Sequence, residues 1–107
     1  MYEILIVGGG PAGLTAAIYA ARAGKHVAVL ERGSSGGQII SAPLVENYPG
    51  IPSVSGTELA RQMTEQACTF GAEIVYTEAV GLEKTPAGFR VLCTDGVREA
   101  KTGILAT

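Results

Sequence analysis

The sequence has little charge, only two cysteines and no long apolar run, and each shortage excludes a class of protein. Charged residues occupy 17% of the 107 positions, they are scattered, and the net charge is −2. A protein that binds nucleic acid needs clustered Lys and Arg, so nucleic acid is excluded as the main partner. The apolar runs are far shorter than a membrane span, and the first residues lack the basic segment of a secretory signal.

The cysteine and histidine content offers no metal centre and no nucleophile. Cys68 and Cys93 form neither a Cys-x-x-Cys pair nor a metal-ligand pattern, so we expect two reduced, largely buried thiols. His26 is the only histidine and has no nearby Cys or Ser partner, so we expect it at the surface. We therefore predict no catalytic residue, no metal, no membrane partner and a cytoplasmic location.

The first third of the chain predicts a βαβ unit. Residues 4–7 are an uninterrupted apolar run, typical of a strand buried on both faces. An alanine-rich helix is predicted over residues 11–23, because Pro11 suits the first helical turn and Gly24 suits the C-terminal cap. Residues 27–30 are predicted as a second strand, closed by Glu31.

The remaining residues predict one helix and several short strands. Residues 32–54 are irregular and contain three prolines, which is typical of a functional or disordered loop. Ser55 and Glu58 fit a capping box at the start of a helix that ends at Gly71, and an apolar stripe marks its buried face. That stripe comprises Leu59, Met63, Ala67 and Phe70. Further strands are predicted over residues 73–76, over an antiparallel meander (80–84, 89–94 and 97–102, with an Asp95-Gly96 hairpin turn), and over 104–107.

A glycine fingerprint lies between the first strand and the first helix. Gly8 permits a tight turn, Gly10 lets the backbone approach a pyrophosphate, and Gly13 lets the helix pack closely on the strand. The helix N-terminus favours phosphate, and Glu31 is placed to accept hydrogen bonds from ribose hydroxyls. The fingerprint leaves FAD and NAD open. The long loop and the meander, which replace the further βα units of a plain NAD domain, favour FAD.

Beyond the fingerprint, the chain resembles the low-molecular-weight thioredoxin reductases of bacteria along its whole length. The resemblance rests on GGGPAG (8–13), AAIYAAR (16–22), GGQ (36–38), VENYPG (45–50) and ILAT (104–107). It implies a three-layer, Rossmann-like FAD/NAD(P)-binding α/β half-domain with a parallel sheet and a three-stranded antiparallel meander. We expect residues 4–7 at its centre, 27–30 and 104–107 on either side, and 73–76 beyond 27–30.

The resemblance also implies which residues hold FAD. Gln38 and Asn47 would lie at the flavin, Val80 would meet the adenine through its backbone, and the last two residues would pass the pyrophosphate. Alternatives stay open: Gly36-Gly37 as flexible loop, Asn47 as a turn residue, and Arg32 as solvated rather than near the phosphates. The expected cofactor-binding set is Gly8, Gly10, Pro11, Ala12, Gly13, Glu31, Arg32, Gly36, Gly37, Gln38, Ile39, Asn47, Val80, Ala106 and Thr107.

The family passes reducing equivalents from NADPH through FAD to a protein disulfide, with a thioredoxin-like protein as partner. Only one fingerprint and no Cys-x-x-Cys occur here. We therefore expect residues 1–107 to be a partial FAD-binding domain, without an NADPH domain or a C-terminal FAD segment, and not catalytically competent alone. A homodimer is a further expectation. The alternatives are a non-catalytic or split flavin-binding module, or the FAD segment of a related ferredoxin-NADP reductase or dithiol oxidase.

Overall fold

The computed structural model describes all of residues 1–107, which form six strands, two α-helices and one short 3₁₀ helix. In chain order these are β1 (Tyr2–Val7), α1 (Pro11–Arg22), β2 (Val27–Glu31), the 3₁₀ helix (Gly37–Ser41), α2 (Gly56–Thr69), β3 (Glu73–Tyr76), β4 (Ala79–Thr85), β5 (Gly88–Cys93) and β6 (Gly96–Leu105). The strands form one sheet in the order β3-β2-β1-β6-β5-β4. Neither α-helix is long and apolar enough to span a bilayer.

The predicted strand order is confirmed, with one correction at β6. β1 lies between β2 and β6 in parallel pairing, and β3 lies beyond β2. The sequence predicts two strands over residues 97–102 and 104–107, but one strand runs from Gly96 to Leu105, and Ala106 and Thr107 follow its end. Ala100 is where that strand changes partner: before it β6 pairs antiparallel with β5, and after it β6 pairs parallel with β1. No turn separates the two predicted strands at residue 103, because the same strand continues through it.

Two apolar cores on opposite faces of the parallel strands confirm the three-layer fold. Successive side chains of a strand point to opposite faces, so Ile6 joins the core under α1 and α2 while Leu5 joins the other. The second core combines Leu5 and two β2 residues with side chains from β5 and β6. The meander therefore covers the face of the parallel strands that the helices leave free.

The helix ends follow the sequence signals with two departures. Ser55 Oγ accepts a hydrogen bond from the Glu58 N–H at 3.1 Å, but the Glu58 carboxylate binds Arg61 instead of completing the capping box. The apolar stripe of α2 is wrong at Phe70, which follows the end of the helix and is 43% exposed. The Arg22 guanidinium lies 5.6 Å from the centre of that ring.

The segment 32–54 is anchored to the rest of the chain at a few residues, while most of it is exposed. It contains the 3₁₀ helix and two isolated β-bridges, Val45 with Val54 and Tyr48 with Ile51. Val45 is buried in the core under the helices. A side chain at Gly36 would overlap Ala60 of α2, so this part of the loop lies directly on that helix.

The expectation of two buried thiols is only half right. Cys93 is buried in the core beneath the meander, whereas Cys68 is exposed on α2. The helical stripe predicted by the sequence places Met63 and Ala67 inward, and Cys68 follows Ala67 by one position, about 100° around the helix. Both cysteines are free.

Candidate dinucleotide-binding site

Two fingerprint glycines are required by the fold itself. Gly8 has a φ of 110°, which favours glycine, and a Cβ there would lie 2.5 Å from the Ala106 carbonyl oxygen. A Cβ at Gly13 would overlap the Gly8 carbonyl oxygen, because α1 packs against the end of β1 at this point. The turn between β1 and α1 is thus built by close backbone contacts.

Gly10 differs, because nothing within the chain requires glycine at this position. Its φ of −77° and ψ of −173° suit any residue. The nearest atom to a Cβ built there is the Gly36 carbonyl oxygen, at 4.0 Å. Neither the backbone conformation nor the packing within the chain explains this glycine. Glycine is typical of places where an external group must approach the backbone closely.

The backbone beside Gly10 offers donors for such a group. The N–H groups of Gly10, Ala12 and Gly13 donate no hydrogen bond within the chain, and Pro11 has no N–H. They lie at the N-terminal end of a twelve-residue helix, whose aligned peptide dipoles favour an anion, and the first turn holds no acidic side chain. The residues present therefore fit a pyrophosphate.

Glu31 joins this turn to the end of β2. Its Oε1 accepts a hydrogen bond from the Gly9 N–H at 2.8 Å, and its Oε2 accepts one from the Gly33 N–H at 2.6 Å. An ionised carboxylate has about four acceptor positions, so capacity remains for two further hydroxyl donors. These bonds to the backbone, which the sequence did not indicate, fix the carboxylate next to the turn between β1 and α1.

The glycine-rich loop lies against the same turn. The Gly36 N–H donates to the Gly9 carbonyl at 2.7 Å, and a Cβ at Gly37 would lie 3.1 Å from the Gly10 Cα. These contacts oppose a flexible-loop interpretation of the two glycines. Gln38 is exposed at the start of the 3₁₀ helix and Ile39 packs against the core.

The last two residues also border the turn. The Ala106 N–H donates to the Val7 carbonyl at 2.8 Å. A Cβ added at Gly8 would lie 3.0 Å from the Thr107 nitrogen. The structure thus brings together the fingerprint, Glu31, the glycine loop and the terminal residues. These are the segments that the family resemblance assigns to a single cofactor.

No hydrogen bond or ion pair joins three other expected residues to this centre. Asn47 is exposed and lines an open groove formed by residues 46–52. Arg32 is exposed and forms no ion pair. Val80 sits at a β-bulge in the edge strand β4, where it has no partner residue in the ladder.

A polar cluster near β3 was missed by the sequence analysis. The Thr77 hydroxyl donates to Asp95 Oδ1 at 2.6 Å, and Arg98 donates to both carboxylate oxygens of Asp95 at 2.7 and 3.1 Å. The Arg98 guanidinium, with the Thr77 hydroxyl, holds the pKa of the Asp95 carboxyl far below its usual range. The Asp-Gly hairpin signal located Asp95 in a turn, but no local pattern connects it with Thr77.

Comparison with known proteins gives consistent matches along the chain. The family described as FAD dependent oxidoreductase matches residues 3–95. The thioredoxin reductase of Bacillus subtilis is 49% identical over 76 residues, which is 71% of this chain and 24% of that protein. That of Treponema pallidum is 42% identical over 107 residues, 99% of this chain and 35% of that protein.

Solved structures agree with the sequence matches. The thioredoxin reductase of Streptococcus pyogenes has a TM-score of 0.96 at 46% identity, covering 100% of this chain and 35% of that one. A ferredoxin-flavin thioredoxin reductase from Clostridium acetobutylicum has a TM-score of 0.88 at 32% identity, covering 97% of this chain and 36% of that one. Where the match runs along the whole chain, it spans only about a third of the length of these relatives.

Proposed function

The chain belongs to the FAD dependent oxidoreductases, and on that premise we propose that it binds FAD at the turn between β1 and α1. The observation that carries the proposal is Gly10. Its Cβ position is open, and it lies beside the unused N–H groups of Ala12 and Gly13. These groups would hold the pyrophosphate, and Gly8 would shape the turn.

In this proposal Glu31 binds the adenosine ribose. Its carboxylate is fixed by the Gly9 and Gly33 N–H groups and has acceptor capacity left for two hydroxyls. A carboxylate at this position would repel a 2′-phosphate, so the site favours FAD over NADP(H). Val80, at its bulge, would meet the adenine through the backbone.

The flavin half of the cofactor would lie along the glycine loop. Gly36 and Gly37 are held against Gly9 and Gly10, so Gln38 and Ile39 follow directly from the phosphate-facing turn. Bound FAD supplies the capacity to accept a hydride. The side-chain amides of Gln38 and Asn47 offer uncharged donors and acceptors to the edge of its ring system.

We further propose that the chain's part in catalysis is that of the flavin-binding portion of a thioredoxin-reductase-like enzyme. Such an enzyme passes reducing equivalents from NADPH through FAD to the disulfide of a thioredoxin-like protein, in the cytoplasm and as a homodimer. The relatives named thioredoxin reductase support the acceptor. A relative named for ferredoxin keeps ferredoxin as a second candidate donor.

The experiment is a binding assay on the purified chain. After incubation with FAD and gel filtration, we expect flavin absorption bands to elute with the protein, and FAD fluorescence to change on titration. NADPH and FMN serve as controls, because one carries a 2′-phosphate and the other lacks the adenosine that Glu31 would bind. Absence of flavin together with a flat titration, or stronger retention of NADPH than of FAD, contradicts the proposal.

A further inference from the structure

The Thr77 cluster occupies a corner between the parallel strands and the meander. Thr77, 7% exposed, is the one buried polar or charged residue of the chain, and its hydroxyl donates to Asp95 at the tip of the β5–β6 hairpin. The Thr94 N–H donates to the Glu78 carbonyl at 2.9 Å. Two hydrogen bonds thus clamp the residues after β3 to the hairpin tip.

The same corner is bonded to the backbone of the proposed ribose site. The Thr77 N–H donates to the Glu31 carbonyl at 3.1 Å, and the Glu31 side chain binds the Gly9 N–H. In the other direction, Val80 follows Thr77 by three residues, a reach of about 10 Å at most. The corner therefore lies between the carboxylate proposed for the ribose and the backbone proposed for the adenine.

Burial alone does not explain a hydroxyl at this position. A buried hydroxyl costs free energy unless it is hydrogen-bonded, and valine has nearly the same shape without that cost. What threonine adds over valine is therefore a hydrogen bond of defined direction, which fixes the hairpin tip relative to β3. Arg98, whose side chain is 22% exposed, in turn fixes the Asp95 carboxylate.

We propose that Thr77 and Asp95 are positioning residues for the adenosine half of FAD. They fix the distance between the Glu31 carboxylate and the backbone at Val80, so that Glu31 can bind the ribose while the backbone at Val80 contacts the adenine. The inference rests on the proposed function, because it needs a bound dinucleotide. It adds two residues that contact no part of the cofactor and act through Glu31 and Val80.

The test compares Thr77→Val with Thr77→Ser, using FAD and ADP as ligands of the whole chain. ADP carries the adenosine and the pyrophosphate but no flavin. We expect Thr77→Val to weaken both ligands about tenfold, the scale of one hydrogen bond to a charged group. Thr77→Ser, which keeps the hydroxyl, should restore both affinities to within about twofold of the original chain.

Two more variants separate positioning from stability. Phe89→Leu perturbs the far end of β5, away from the corner, so it should lower the thermal midpoint yet leave both affinities unchanged. Asp95→Asn, at an exposed position, should fold and weaken both ligands severalfold, because the Arg98 pair is lost. Unchanged ADP affinity in Thr77→Val and Asp95→Asn, or an equal loss in Phe89→Leu, overturns the inference. Failure of the original chain to bind FAD or ADP overturns the proposed function instead.

Discussion

Replacement of Gly10 by alanine should separate cofactor binding from folding. A Cβ at this position meets nothing closer than 4.0 Å, and the backbone angles suit alanine. Alanine is a poorer N-cap than glycine but restricts the unfolded chain, so the free energy of unfolding should change by less than about 1 kcal/mol. The added methyl group would occupy the space through which a pyrophosphate reaches the N–H groups of Ala12 and Gly13.

The loss of FAD affinity follows from those donors. If the methyl group breaks two charge-assisted hydrogen bonds of about 1.5 kcal/mol or more each, binding weakens by at least about 3 kcal/mol, more than about 100-fold. FAD fluorescence titration measures this loss, and urea denaturation without FAD measures the stability. Gly103→Ala is the matched control, since Gly103 lies in β6 with only ordinary contact at 3.4 Å to the Leu5 oxygen. Equal FAD affinity in Gly10→Ala and Gly103→Ala would refute the reasoning.

Three further measurements address Glu31, the Glu58 ion pair and the two cysteines. Glu31→Ala should weaken FAD binding by roughly 1.5–3 kcal/mol in the same titration, and an unchanged affinity would remove Glu31 from the site. Arg61 and Gln62 hold the pKa of Glu58 down to about 2, so the ion pair stabilises the fold above the ordinary carboxyl pKa and loses this effect as the pH falls towards 2. The difference in urea midpoint between the original chain and Glu58→Gln should accordingly shrink from pH 7 to pH 2, and a constant difference would contradict the assignment. The FAD-loaded chain, mixed anaerobically with NADPH and oxidised thioredoxin, should show no sustained disulfide reduction, because Cys93 lies under the meander while Cys68 lies on α2, across the sheet. Repeated turnover that depends on either cysteine would show that the thiols can cooperate.

The parallel part of the fold could be predicted because its signals are local. The apolar runs that became β1 and β2 are bounded by the fingerprint and by Glu31, and the helix between them starts at Pro11. The Asp95-Gly96 turn likewise predicted a hairpin that β5 and β6 form. In each case the residues that decide the structure are neighbours in sequence.

The continuity of β6 could not be read from the chain, because a strand pattern does not reveal which strands it pairs with. Gly103 lies between the two predicted strands, yet in the structure it is inside β6 and pairs with Leu5 of β1. The change of partner at Ala100 depends on two strands that are distant in sequence, Gly88–Cys93 and Tyr2–Val7.

The candidate site shows the same division between local and distant information. The spacing of Gly8, Gly10 and Gly13 located the turn, but only the structure separates the two glycines that the fold needs from the one that it leaves open. No sequence motif marks Thr77, because a threonine after a short strand is common. Its role becomes visible only from its burial combined with its hydrogen bond to a charged partner eighteen residues away, since a buried hydroxyl is costly unless it is paired. Polar residues that position a site through the backbone are therefore found from three-dimensional contacts rather than from motifs.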